Sequence, residues 1–239
     1  MSSTIMDRLA PRTVARITGG VYLAYIVANV VADSLGHIGL GTPEQLWGSI
    51  VTNPGAFRAG LVVALLTGLL FLLSAWGLYV LLRPVNKDLA LLFLLFNAVG
   101  VAIQGASMLS LLSALFYGGG IGGLQALGAA QLQALALVSL NTYKTGFVTA
   151  QLFFGAWLVP LGYLVYRSRI LPRFLGVLLM LDAVGVGIWF LQGLLCPTLK
   201  AITYPGLAVS FLAEFGLALW LLVKGVKAVD PDSTAAAGA

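Results

Sequence analysis

Apolar runs separated by short charged or turn-forming pieces dominate the chain. Clear helical stretches cover approximately 17 to 36, 57 to 82, 88 to 115, 171 to 194 and 204 to 225. At about 1.5 Å of rise per residue, each is long enough to cross about 30 Å of hydrocarbon. The stretch 116 to 166 is harder. Gly122 to Asn141 is apolar but interrupted by Gln125, Gln131 and Gln133, so this region holds either two spans or one.

Charge decides between them, because lysine and arginine gather in short loops on the cytoplasmic side. With Arg8, Arg12 and Arg16 inside, the first span runs outward and the loop with Arg83 and Lys87 returns to the cytoplasm. A crossing by 122 to 142 would put Arg167, Arg169 and Arg173 outside. Leaving that piece at the outer face, or partly re-entrant, keeps them inside with Lys224 and Lys227. The predicted fold is therefore an all-α polytopic transmembrane helix bundle. It has six spans, an extra outer-face or re-entrant helix, and both termini in the cytoplasm. Residues 1–228 form a single transmembrane domain, and 229–239 a short disordered tail. The N-terminal arginines before Gly19 to Ala32 read as an uncleaved signal anchor.

Local signals refine the loops. Thr42-Pro43-Glu44-Gln45 is a capping box with proline at the first helical position, predicting a short outer-interface helix that carries Leu46, Trp47 and Ile50. Asn53-Pro54 turns the chain into the second span, and Pro84 with Asn86 makes a tight hairpin to the third. Pro172 turns the chain again beyond Arg167. Pro160 predicts a kink near Ala156.

Composition excludes a soluble domain: 60% of the 239 residues are hydrophobic and 9% charged, against about a quarter charged in soluble proteins. The net charge of +5 would suit nucleic acid, but the basic residues stand at the ends of apolar runs, so no nucleic-acid partner is expected. One cysteine and one histidine exclude an internal disulfide and a Cys/His zinc site. No metal set or cofactor is legible.

Several pieces carry a family likeness. They are Arg16-Ile17-Thr18-Gly19-Gly20-Val21-Tyr22-Leu23, Phe57-Arg58, Leu78-Tyr79 and Arg83-Pro84-Val85-Asn86. The most specific are Gly162-Tyr163-Leu164-Val165-Tyr166-Arg167-Ser168 and Leu171-Pro172-Arg173-Phe174-Leu175-Gly176. Over roughly 14 to 225 the chain resembles the bacterial DUF4386 family of multi-span membrane proteins. The resemblance implies a fold and a bacterial inner (cytoplasmic) membrane location, and no reaction. Where the family pattern often has charges within spans two and three, this chain has Ala64, Asn97 and Gly100.

Intramembrane polar residues are expensive and so are candidates for function. At helical spacing, Tyr22, Tyr25, Asn29, Asp33 and His37 share one face of the first span, and Asn97, Gly100 and Gln104 one face of the third. Gln151 lies on the fourth. Asp182, Gly185, Trp189 and Gln192 share a face of the fifth, and Ser210 and Glu214 one of the sixth. By depth, Asn29, Asn97, Asp182 and Glu214 fall near mid-membrane, and Asp33, His37, Gln104, Gln151 and Gln192 in the outer half. Asp182 and Glu214 are expected at one level, facing one another or a shared water. His37 reads as an interface residue paired with Asp33. No residue is assigned a catalytic role. Gly118 to Gly123 formally fits a dinucleotide fingerprint but lacks the flanking strand. Gly60, Ala64 and Gly68 form a small-residue stripe for close helix packing, within the chain or between copies.

Because polar groups stop in the outer half, the pattern predicts a crevice open to the outer face and closed by an apolar floor. The leading reading is a pocket for a small apolar molecule, lipid, quinone or pigment. The alternatives are an accessory subunit of a larger membrane complex, or a homo-oligomer, and a proton-coupled transporter. The topology is testable with Cys196 replaced. A cysteine at Gln131 should react with an impermeant reagent on intact cells, and one at Ser168 only after permeabilisation; labelling of Ser168 in intact cells overturns the layout.

Overall fold

The computed structural model describes residues 9–119 and 127–227. Its helices are α1 (Pro11–Gly36), α2 (Pro43–Thr52), α3 (Pro54–Leu82), α4 (Lys87–Ser107), α5 (Leu109–Gly118), α6 (Ala129–Ser168), α7 (Arg173–Leu195) and α8 (Tyr204–Val223), the last preceded by a 3-10 turn, Lys200–Thr203. Six are long and apolar enough to cross a membrane: α1, α3, α4 continued by α5, α6, α7, and α8 with its preceding turn. Arg8, Gly120 to Gly123 of the glycine motif and the expected tail lie outside the described residues.

The six form a closed ring in chain order. α1 packs on α3, α3 on α4, α4 on α6, α6 on α7, α7 on α8, and α8 returns to α1. Apolar side chains such as Val62, Leu69, Leu95, Val184 and Leu212 stay exposed around it and face the bilayer. The start of α1 meets the residues after α8: a β-carbon on Gly225 would touch Arg12, and Lys227 N–H donates to the Ile170 carbonyl at 3.1 Å. The antiparallel register brings Arg83 and Lys87 to this same end, hereafter the basic end.

Association in lipid has no hydrophobic drive between helices, so close contact at small residues must supply it. A β-carbon on Gly77 would collide with the Thr18 hydroxyl, and one on Gly60 would lie 3.3 Å from the Ala32 carbonyl, so α1 and α3 are seamed in both halves. α4–α6 is seamed at Gly100 and Gly146, and α6–α7 at Gly162 and Gly193. α1–α8 differs. Its tight contact, where a Gly19 β-carbon would collide with Leu222 N, is at the basic end. The stripe of Gly60, Ala64 and Gly68 is used within the chain: a β-carbon on Gly68 would lie 3.3 Å from Val101 Cγ1.

At the other end, α2, α5 and the first turns of α6 build a cap. The predicted capping box is present: Gln45 N–H donates to the Thr42 hydroxyl at 3.3 Å, and Thr42 N–H to the Gln45 amide oxygen at 2.8 Å. Its neighbour Glu44 has its carboxyl held below the usual range by its own backbone N–H and the Thr42 side chain. Leu46 and Ile50 bury in a cluster with Leu111, Leu115, Ala136, Leu140 and Tyr143.

Two differences from the sequence reading have local causes. Residues 129 to 142 are not a separate outer or re-entrant helix but the start of α6, whose 40 residues span roughly 60 Å. Ala136, Leu140 and Tyr143 give these turns one buried stripe while Asn141 and Thr142 stay exposed, and α2 is the short non-spanning helix. The third span breaks at Met108, where the Ser107 hydroxyl donates to the Gln104 carbonyl at 2.7 Å and competes with the helix ladder. Pro160 sits buried inside an uninterrupted α6. Gly19→Leu should cost about 1–3 kcal/mol by overpacking the ring closure, read by detergent unfolding. Gly48→Ala, which meets open space, should cost nothing.

Candidate binding pocket

A cavity of about 370 Å³ occupies the ring's centre and draws its lining from all six spans. Its floor is aromatic. The Tyr25 ring stacks on Phe71 at 4.3 Å, and Phe71 meets Phe154 at 5.3 Å and the edge of Trp157 at 5.1 Å. Beneath it, toward the basic end, the fully buried Tyr22 donates its hydroxyl to Glu214 Oε2 at 2.9 Å, tying α1 to α8. Its mouth is the turn after α1, Ile38 to Leu40. There the Lys144 ammonium bonds the Gly39 carbonyl at 2.6 Å and lies 5.0 Å from the Phe147 ring centre.

Val30 on α1 and Phe211 on α8 line the cavity, yet are 65% and 58% exposed. Both helices contribute lining there because their tight contact lies farther down, at Gly19. On these two neighbouring helices the cavity lining thus reaches residues that also carry outer surface.

Of the residues singled out by sequence, Tyr25, Asn29, Asp33, Gln104, Gln151, Trp189 and Glu214 line this cavity. Five do not. Tyr22 stands behind Glu214. Asn97 is fully buried on α4, and neither of its amide atoms has a hydrogen-bond partner. Gln192 caps the end of α7, its amide donating to the Cys196 carbonyl at 2.9 Å. His37 is not paired with Asp33 through its side chain. It adopts φ 55° at the end of α1, which turns its ring to the Ser49 hydroxyl at 2.8 Å; only its backbone N–H reaches the Asp33 carbonyl, at 2.7 Å. Asp182 is fully buried on α7, and neither carboxyl oxygen makes a hydrogen bond of good geometry. Ser210 is its polar neighbour across on α8, and Glu214 lies within electrostatic range.

The polar face read on the fifth span also divides. Trp189 faces the cavity, whereas a β-carbon on Gly185 would lie 2.8 Å from Gly206 Cα, so Gly185 is a helix-packing position. Sequence reasoning passed over Lys144, although it is the one charge between Asp88 and Arg167. It also passed over Phe71 and Phe154, which carry no polar signal. Among the described residues no three His, Cys, Asp or Glu side chains converge on one point. Chemically, the site offers an apolar chamber with a line of amides and carboxyls from Glu214 to Asp33. Tyr22→Phe should remove the α1–α8 hydrogen bond and lower stability by about 1 kcal/mol, measured by detergent unfolding; an unchanged midpoint would deny the bond a structural role.

The model of the family described as "Domain of unknown function (DUF4386)" matches residues 17–225. An "Uncharacterized protein" of Archaeoglobus fulgidus is 28% identical over 165 residues, covering 67% of this chain and 80% of the relative. No solved structure matches. The matched span includes α1 from Ile17 onward, the other five membrane helices whole and every residue that lines the cavity, and the chain belongs to the DUF4386 family.

Proposed function

We propose that this multi-span membrane protein binds a small, mostly apolar molecule of the bilayer, such as a lipid, quinone or pigment, in its central cavity. The observation that carries the reading is the cavity itself. About 370 Å³ of space is enclosed by six spans, floored by aromatic rings and edged by few polar groups, within the size range of small-molecule sites. Entry between the exposed lining residues of α1 and α8 would give a molecule dissolved in lipid a route that avoids water. Since basic residues favour the cytoplasm, the basic end would face inward, placing the mouth at the outer face of the cytoplasmic membrane and both termini inside.

The rival readings gain less. The small-residue face that an accessory subunit would offer a partner is occupied by Leu35, Ala32 and Val101 of the same chain. A transporter needs a path through the basic half, which the aromatic floor and the Tyr22–Glu214 bond close. Val186 lines the cavity, so Val186→Phe should fill it. Native mass spectrometry of protein extracted in mild detergent is expected to show a bound apolar species that disappears in the variant, with the unfolding midpoint little changed. Absence of any bound species in the unaltered protein would count against the proposal.

A further inference from the structure

The cavity's polar groups are unequal in what they can still accept or donate. Among the described residues no arginine or lysine lines it, and the acidic side chains that do are Asp33 and Glu214. The amide nitrogens of Asn29 and Gln151 already donate one turn back, to the carbonyls of Tyr25 at 3.0 Å and Phe147 at 3.3 Å. Asp33 Oδ1 is buried with no hydrogen-bond partner. The cation acting on Asp33 is Lys144, whose ammonium is engaged by the Gly39 carbonyl. Tyr25, Gln104, Trp189 and Ser210 add donors of their own to the lining, so what sets the chamber apart is charge: two carboxyl groups and no basic side chain among the residues that line it.

A phosphate or carboxylate headgroup would bring further negative charge to a desolvated site beside two carboxyl groups, where the cation at the mouth, Lys144, is already engaged by the Gly39 carbonyl and by Asp33, which is costly. A hydroxyl or amine would instead donate to the carboxyl groups of the lining, Asp33 and Glu214, without adding negative charge. Its chain would lie along Phe71, Phe154, Val186 and Phe211. We infer that the cavity selects amphiphiles whose polar end donates hydrogen bonds, neutral or cationic, and rejects those with anionic headgroups. This inference rests on reading the cavity as a binding site.

Trp189 on the cavity wall reports occupancy. The full chain, reconstituted in phosphatidylcholine nanodiscs, is titrated with 12-bromododecan-1-ol, 12-bromododecylamine and 12-bromododecanoate, whose bromine quenches indole fluorescence on contact. The Trp189→Phe protein supplies the signal of the other tryptophans for subtraction. The alcohol and the amine should half-quench Trp189 at about tenfold lower loading than the carboxylate, the worth of one hydrogen bond. Asp33→Lys should narrow or reverse that preference by placing a cation at the mouth, and Asp33→Asn should narrow it without adding charge. Equal quenching by all three probes, or preference for the carboxylate, overturns the selectivity and leaves the binding cavity standing. No Trp189-dependent quenching by any probe overturns both.

Discussion

At Gly19 the backbones of α1 and α8 meet, so close that a β-carbon would collide with Leu222 N, and on this closure the rest of the architecture depends. Each other span packs on its neighbour in the chain, so without it the six helices would form an open row with no interior. The position of the closure matters as much as its existence. Seams at both halves hold α1 to α3, α4 to α6 and α6 to α7, but α1 and α8 are joined only toward the basic end. Above that point the interior is held open by rings, Tyr25, Phe71, Phe154 and Trp189, too bulky for the helices to close over. Chamber and floor are thus one result of where small and large residues fall along the same helices.

Polar groups fall into two layers. Those around the chamber have free volume beside them, and those below the floor do not. Gly100 faces Phe154, and that register puts Asn97 level with Trp157, whose indole N–H is likewise buried without a partner. With Asp182, which has Ser210 across from it on α8, these groups form a buried polar level shared by α4, α6 and α7.

Much of the fold was legible because the forces that set it are written locally. Spans show as apolar length, turns as Pro and Asn, and the α2 start as a capping box whose two hydrogen bonds need only residues 42 to 45. The site was half legible. Tyr25, Asn29 and Asp33 follow from helical spacing, since one face of α1 turns inward over its length. Gly185 and Trp189 share a helical face by the same rule, yet only a neighbour's position decides that the first meets Gly206 and the second the chamber. His37 was misread because its partner was set by the turn ending α1. The start of α6 was misread because its glutamines suggested an interruption, when they only mark the solvated side of a continuous helix.

That continuity has a mechanical side. The same 40-residue helix packs in the cap through Ala136 and Leu140 and forms the chamber wall through Phe147, Gln151, Phe154 and Leu158. The two parts belong to one unbroken helix, so cap and chamber wall are a single beam, and a displacement of one would be carried along the rod to the other.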